Sequence, residues 1–165
     1  MALVAAVALH DAAELYVPAA RLTVKWPNDL LLSGMKLAGI LLERTGEVVV
    51  LGFGVNLASH PPDLERPATS LAAADIDPPA PGDFAQQLAE AFAGWLARWR
   101  GEGLAVICEA WLARAHPVGM ALVARLGDGE EVTGAFDGLA EDGALRLRLV
   151  DGTLRTIHAA DVFTL

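Results

Sequence analysis

Lys25, in Lys25-Trp26-Pro27-Asn28-Asp29, and Lys36, in Lys36-Leu37-Ala38-Gly39-Ile40, stand eleven positions apart in a chain otherwise acidic and poor in lysine. Lys and Arg total 12 against 21 Asp and Glu, a formal balance of −9. A lone lysine in an apolar stretch more often caps a turn or lays its stem over a sheet. Two that bracket one hairpin suit another task, holding an anion such as a carboxylate or phosphate against the sheet. The same net charge repels nucleic acid and anionic membrane surfaces rather than recruiting them.

Further along, Gly52-Phe53-Gly54-Val55-Asn56 alternates glycine within a strand-like run. Both bare backbones then face one side, where a ligand or another segment can come close; a bulge or helix contact is the ordinary alternative. Asn56 reads either as a turn residue satisfying its own backbone or as a polar group at a strand end. Asn28-Asp29 has the same double reading, a turn after Pro27 or an amide and carboxylate facing a ligand.

These residues need elements to position them. Leu3, Val4, Val7, Ala8, Ala12 and Leu15 recur at helical spacing over Ala2 to Tyr16, with His10, Asp11 and Glu14 on the other side, which predicts an amphipathic helix. Leu22 to Trp26, Leu30 to Leu32, Lys36 to Arg44 and Glu47 to Val55 read as strands, with Pro27 enforcing a bend and Ser33-Gly34 and Thr45-Gly46 as turns. The unbroken apolar runs Ile40-Leu41-Leu42 and Val48 to Leu51 predict burial on both faces. Residues 58–82 are proline-rich and read as an irregular excursion with one turn near Ser70 to Ala74. Asp83 with Gln86 predicts a capping box opening a helix that carries Phe84, Leu88, Phe92, Trp95 and Trp99. Gly101 to Gly103 breaks it before a second helix, Leu104 to Ala115. Beyond Pro117, Gly127-Asp128-Gly129, Asp142-Gly143 and Asp151-Gly152 mark hairpin turns between five short strands, the texture of a small barrel.

An apolar fraction of 54% allows a real core. The single Cys108 excludes a disulfide framework, fits a reducing cytosol and reads as a small core residue. The apolar opening is cut short at His10-Asp11, so neither a signal peptide nor a membrane span is indicated and a cytoplasmic location is expected.

The order and spacing of Lys-Trp-Pro-Asn-Asp, then Lys-Leu-Ala-Gly-Ile-Leu with Glu43 beyond, then Gly-Phe-Gly-Val-Asn, resemble the catalytic domain of biotin protein ligases. The likeness continues through Ala68-Thr69-Ser70-Leu71, through the helices bearing Trp95, Trp99 and Trp111, and into Val132 to Leu165. It implies an α+β fold: a mixed sheet packed on helices over residues 1–116, the later part of the biotin/lipoate ligase-like domain, then an SH3-like barrel over 117–165. It implies an ATP-dependent ligase that forms biotinyl-5′-adenylate and passes the biotinyl group to a lysine of the biotin carboxyl carrier protein of acetyl-CoA carboxylase. By place in the motif, Lys36 matches the lysine that meets the biotin carboxylate and adenylate linkage. Losing one such donor typically costs about 3 to 4 kcal/mol of transition-state stabilisation. Gly52 and Gly54 match glycines that line the biotin site, with Gly39 and Asn56 in the same motifs. Lys25, Asn28 and Asp29 match the nucleotide side, Asp29 near either a magnesium ion or the incoming amine, and Trp26 of the same motif is a further ligand-binding candidate. Mg2+ is expected as the partner of ATP. Because the family's barrel closes over the nucleotide, the resemblance makes Arg146, Arg148 and Arg155 candidates for nucleotide contact, although the alternating Arg146 and Arg148 read first as the solvent face of a strand.

Members of that family carry a glycine- and arginine-rich loop ahead of the first helix here, and no Gly-Arg-Gly-Arg stretch occurs in this chain. The resemblance therefore implies a domain cut short at its N-terminus, with part of the sheet and a helix face uncovered, weak turnover by this chain alone, and pairing with a second copy as one outcome. A lipoate or octanoate ligase is the rival within the fold. A non-catalytic module that binds biotin or the carrier is the rival outside it, and a DNA-binding repressor lacks its reading segment.

Overall fold

A computed structural model describes residues 1–62 and 67–164. The part of the expected irregular excursion at 63–66, and the last residue of the expected barrel, lie outside the described residues.

The first helix, α1 (Ala2–Glu14), is rich in alanine, the best helix former, and has no side-chain cap. It is not one-sided as its periodicity predicts. Ten of its 13 residues are buried, His10 among them at 3% exposure. The reason is its place between layers: it packs on the sheet on one side and on two later helices on the other, and its alanines let them approach closely.

Four strands follow, β1 (Leu22–Lys25), β2 (Asp29–Leu32), β3 (Met35–Thr45) and β4 (Val48–Val55), in spatial order β1-β2-β3-β4. The expectation of a mixed sheet is corrected. Every strand pair is antiparallel, because each connection is a short turn that cannot carry a parallel crossover. The parallel contacts among the described residues are isolated bridges, Val24 to Ala115 and Lys36 to Ala68. The β1–β2 hairpin bends at a cis Trp26–Pro27 bond. Asn28 Nδ2 donates to the Ile40 carbonyl at 2.7 Å and the Ile40 N–H donates to the Asn28 carbonyl at 2.9 Å, pinning the bend onto β3.

Burial on both faces is also corrected. Ala38, Ile40, Phe53 and Val55 face the helices, while Leu41, Val48 and Val50 are 62%, 63% and 54% exposed. The helical layer covers one face and stops short of the far end of the β3–β4 hairpin.

Helix α2 (Pro81–Glu102) begins with proline at N1, which sets its first dihedral without losing a needed donor. The expected capping box does not form. Asp83 lies inside the first turn, where its charge suits the helix dipole, and Gln86 Nε2 instead donates to Glu90 Oε1 at 3.0 Å. Gly103, at φ 89°, ends α2 and starts α3 (Leu104–Leu112). Helix α3 stops three residues before the predicted end, where the Arg114 carbonyl accepts the Val24 N–H at 2.9 Å and draws the chain against β1.

The remaining strands, β5 (Ala121–Arg125), β6 (Glu131–Leu139), β7 (Leu145–Arg148), β8 (Leu154–Ile157) and β9 (Asp161–Thr164), form a second antiparallel sheet in the order β8-β7-β6-β5-β9. At its three Asp-Gly turns the carboxylates of Asp128, Asp142 and Asp151 each accept the N–H two residues on. The glycines take φ near 85–88°. Asp137 pairs with Arg146 and Arg148, which decorate the sheet surface as read, and Glu130 pairs with Arg155. One apolar cluster joins both sheets through Trp111, Phe136, Leu122 and Val162, with Cys108 half-buried against it. No described helix is long and apolar enough to cross a membrane.

Candidate active site

The hairpin register brings the two lysines to one carboxylate. Lys25 pairs opposite Asp29 across the bend, and Asp29 pairs opposite Gly39. Lys25 Nζ lies 2.8 Å from Asp29 Oδ2 and Lys36 Nζ 2.5 Å from Asp29 Oδ1. Burial alone would raise the Asp29 carboxyl, but Lys25 and then Lys36 outweigh it and hold it below the ordinary value of 3.8. Two ammoniums against one carboxylate leave the trio positive.

The two lysines differ in access. The Lys25 side chain is 8% exposed and its ammonium also donates to the Val162 carbonyl of β9 at 3.1 Å. The Lys36 side chain is 34% exposed, so it can meet a ligand while Asp29 fixes its position. A cleft of about 170 Å³ opens there, lined by Lys25, Asp29, Lys36, Pro67, Phe163 and Thr164.

Beside Lys36 the outward face of β3 and β4 is nearly bare. Gly39 pairs with Gly54 and Leu41 with Gly52, so three of four neighbouring positions carry no side chain. A Cβ on Gly54 would meet nothing within 4 Å, and one on Gly52 only Leu41, at 3.8 Å. One on Gly39 would lie 3.1 Å from Lys36 Nζ, so the ammonium rests directly on the glycine floor. The two glycines of β4 thus share a face, as their alternation predicts.

The other predicted residues do structural work around this floor. Asn56 Nδ2 donates to the Thr69 carbonyl at 2.9 Å, and Thr69 and Pro67 bond the Lys36 backbone on either side, so this short segment clamps the lysine. Asn28 is committed to Ile40 and Trp26 Nε1 to the Gly143 carbonyl at 3.2 Å. Sequence reasoning missed the part played by β9 and by His116, which lines a small gap with Lys25, Trp26 and Trp111. No local pattern marks contacts across so much intervening chain. A larger apolar groove of about 520 Å³ runs between the opposite face of β4 and α2, without a charged group to orient a ligand.

Comparison with known proteins supplies the chemistry this geometry leaves open. Residues 1–57 match the biotin/lipoate A/B protein ligase family and residues 123–165 the biotin protein ligase C terminal domain. The chain is 44% identical over 174 residues to a biotin--[acetyl-CoA-carboxylase] ligase of Paracoccus denitrificans, across 99% of this chain and 72% of that protein. A Mycobacterium tuberculosis ligase of the same name is 33% identical over 146 residues, across 88% of this chain and 54% of the relative, so the chain spans about half of that protein's length. In fold it is similar to the biotin protein ligase of Aquifex aeolicus, with a TM-score of 0.85 at 19% identity over 99% of this chain and 74% of that one. The same Aquifex protein, solved in complex with biotin and ATP, superposes with a TM-score of 0.84 at 19% identity, over 99% of this chain and 70% of that one.

Proposed function

Because the chain belongs to the biotin protein ligase family, we propose that it activates biotin with ATP to biotinyl-5′-adenylate and passes the biotinyl group to a lysine of the biotin carboxyl carrier protein of acetyl-CoA carboxylase. The observation that carries this reading is the Lys36 ammonium lying on the glycine floor with Asp29 holding it from behind.

In this reading biotin lies over Gly39, Gly52 and Gly54, where any side chain would occupy its place, and its carboxylate reaches Lys36. A carboxylate oxygen attacks the α-phosphorus of ATP, the bond to the β-phosphate oxygen breaks, and pyrophosphate leaves. Lys36 offsets the negative charge that gathers where the two anions meet, and being fixed beforehand it does so without reorganising. The carrier's neutral amine then attacks the acyl carbon and AMP departs with the bonding pair. Asp29 acts as a positioning residue between two ammoniums, and Lys25 lends its charge from beneath the cleft. Asp29 does not fit a magnesium ligand, since both its oxygens already face cations; Mg2+ arrives with the ATP phosphates.

The finer architecture follows from the same reading. The second sheet corresponds to the family's SH3-like barrel, and the boundary falls near Pro117, after the strand-like contact of Ala115 with β1. A cytoplasmic setting suits ATP and the carrier.

The test is pyrophosphate release with biotin and magnesium ATP, comparing the chain with Lys36→Met. The variant should lose roughly 10²–10³ in rate. Equal release by both would remove Lys36 from the chemistry, and binding of biotin with no release, persisting in a form extended upstream by the family's glycine- and arginine-rich loop, would favour a non-catalytic module.

A further inference from the structure

A second polar cluster lies away from the lysines, at the last turn of α1. His10 is 3% exposed, and its Nδ1 has no hydrogen-bond partner. The atom is aimed between two carboxylates, 3.6 Å from Asp11 Oδ1 and 3.7 Å from Glu14 Oε2. Both separations exceed the roughly 2.9–3.0 Å of an N–H···O bond. They are close to the spacing of about 3.4 Å that donor atoms adopt around a tetrahedral ion bound at about 2.0–2.2 Å. One donor atom from each of His10, Asp11 and Glu14 lies within 4.8 Å of the others.

We propose that His10, Asp11 and Glu14 form a binding site for a first-row divalent metal ion such as Zn2+. The juxtaposition of one imidazole and two carboxylates is a borderline set of N and O donors that suits zinc. Spacing of i and i+4 puts His10 and Glu14 on one helix face, as in other helical zinc sites. Asp11 is held from behind through Oδ2, which accepts from Trp95 Nε1 at 2.7 Å, while Oδ1, the oxygen that faces His10, also accepts from Arg114 Nε at 3.1 Å with a second Arg114 nitrogen 2.9 Å away. Such outer contacts orient metal-binding carboxylates. The cavity in front, about 520 Å³ and lined by His10, Glu14, Thr23 and Arg114, admits an ion and leaves room for water as the fourth ligand.

The helix itself favours a cation here. The last turn of α1 holds no basic residue and ends on Glu14, so a carboxylate adds to the negative end of the helix dipole. A bound divalent ion offsets both. The Arg114 guanidinium opposes it, because it already answers part of the Asp11 charge, so the site binds more weakly than a cage of three free ligands. Filling it ties the end of α1 together beside the Arg114 contact.

Calorimetric titration of the chelator-treated 165-residue chain with Zn2+ tests the site, together with the visible spectrum of the Co2+ form. One saturable Zn2+ per chain, a rise in melting temperature and nitrogen–oxygen ligand-field bands are expected. Glu14→Gln, at a partly exposed position that leaves the helix core intact, should weaken binding by more than the roughly 10–100-fold that loss of an outer contact costs. His10→Asn should do the same, and His158→Ala should leave it unchanged. Absence of saturable binding overturns the site, as does equal affinity in the Glu14→Gln chain. So does an imidazole nitrogen spectrum in which Nδ1 of His10 stays protonated against the carboxylates and ignores added Zn2+, which would mark a plain ion pair.

Discussion

The buried ammonium of Lys25 donates to the carbonyl of Val162, so the bend that carries Asp29 is tied to the last strand of the second sheet across 137 positions. Lys25 thus has two loads, the Asp29 carboxylate and β9. Lys25→Met keeps the apolar stem but leaves the Val162 carbonyl without this donor and removes one of the two cations facing Asp29. Because Lys36 still faces Asp29, the cost is that of a buried acceptor left without its donor, about 1–3 kcal/mol. Urea unfolding should show that loss, and hydrogen exchange should show faster exchange in β9 than in β3. A stable variant with unchanged β9 exchange would mean that the apolar contacts around Trp111 and Phe136 hold the two sheets together unaided.

The glycine floor separates fold from ligand. A Cβ at Gly54 meets nothing within 4 Å, so Gly54→Val should alter stability by no more than about 0.5 kcal/mol. The same side chain stands where biotin would lie. Biotin affinity should drop at least tenfold, equal to about 1.4 kcal/mol. The contrast is Gly134, where a Cβ would come 2.8 Å from the Arg148 carbonyl oxygen. Gly134→Ala should destabilise by about 1–3 kcal/mol through overpacking. Paired melting curves and biotin calorimetry read both effects.

His116 predicts how stability follows pH. Its burial, and then the positive charge of Lys25, hold its pKa below the ordinary 6.5. As pH falls, the unfolded chain therefore takes up this proton before the folded one does. The contribution is complete above about 6.5, declines below it, and levels once pH passes the folded value. Urea midpoints measured from pH 7.5 down to 5 should show this decline in the unaltered chain. In His116→Phe that part of the slope should be gone, whereas a slope identical in both chains would assign the titration elsewhere.

Legibility followed sequence distance. Asp128-Gly129, Asp142-Gly143 and Asp151-Gly152 announce turns because each aspartate bonds its own backbone two residues on, a contact fixed by local geometry. The glycine floor was readable for the same reason, since alternation along one strand decides which backbones share a face. The Lys25–Val162 tie and the Asp11–Trp95 bond were not readable, because tertiary packing alone makes those pairs neighbours. Apolarity misled at Leu41 and Val50, where the residues favour a buried strand but no helix reaches them. It misled in reverse at His10, a polar residue assigned to the outer side of α1 that a second helical layer encloses.

The exposed end of the hairpin carries the last prediction. Among the described residues β4 pairs only with β3, so its other edge presents backbone donors and acceptors along Val48–Val55. Val48 and Val50 stand beside that edge, 63% and 54% exposed, and the apolar groove formed by Leu51, Phe53, Phe84 and Leu88 continues from it. Unpaired strand edges flanked by apolar surface template pairing with another chain. The chain should therefore associate with itself as concentration rises, which sedimentation velocity over a dilution series would reveal. Val50→Lys places a charge on the outer face of this edge without touching the face that Phe53 and Val55 bury, so it should shift the chain toward monomer while the melting temperature stays unchanged. Should the unaltered chain sediment as a monomer throughout, the twist of the hairpin must already keep this edge from pairing.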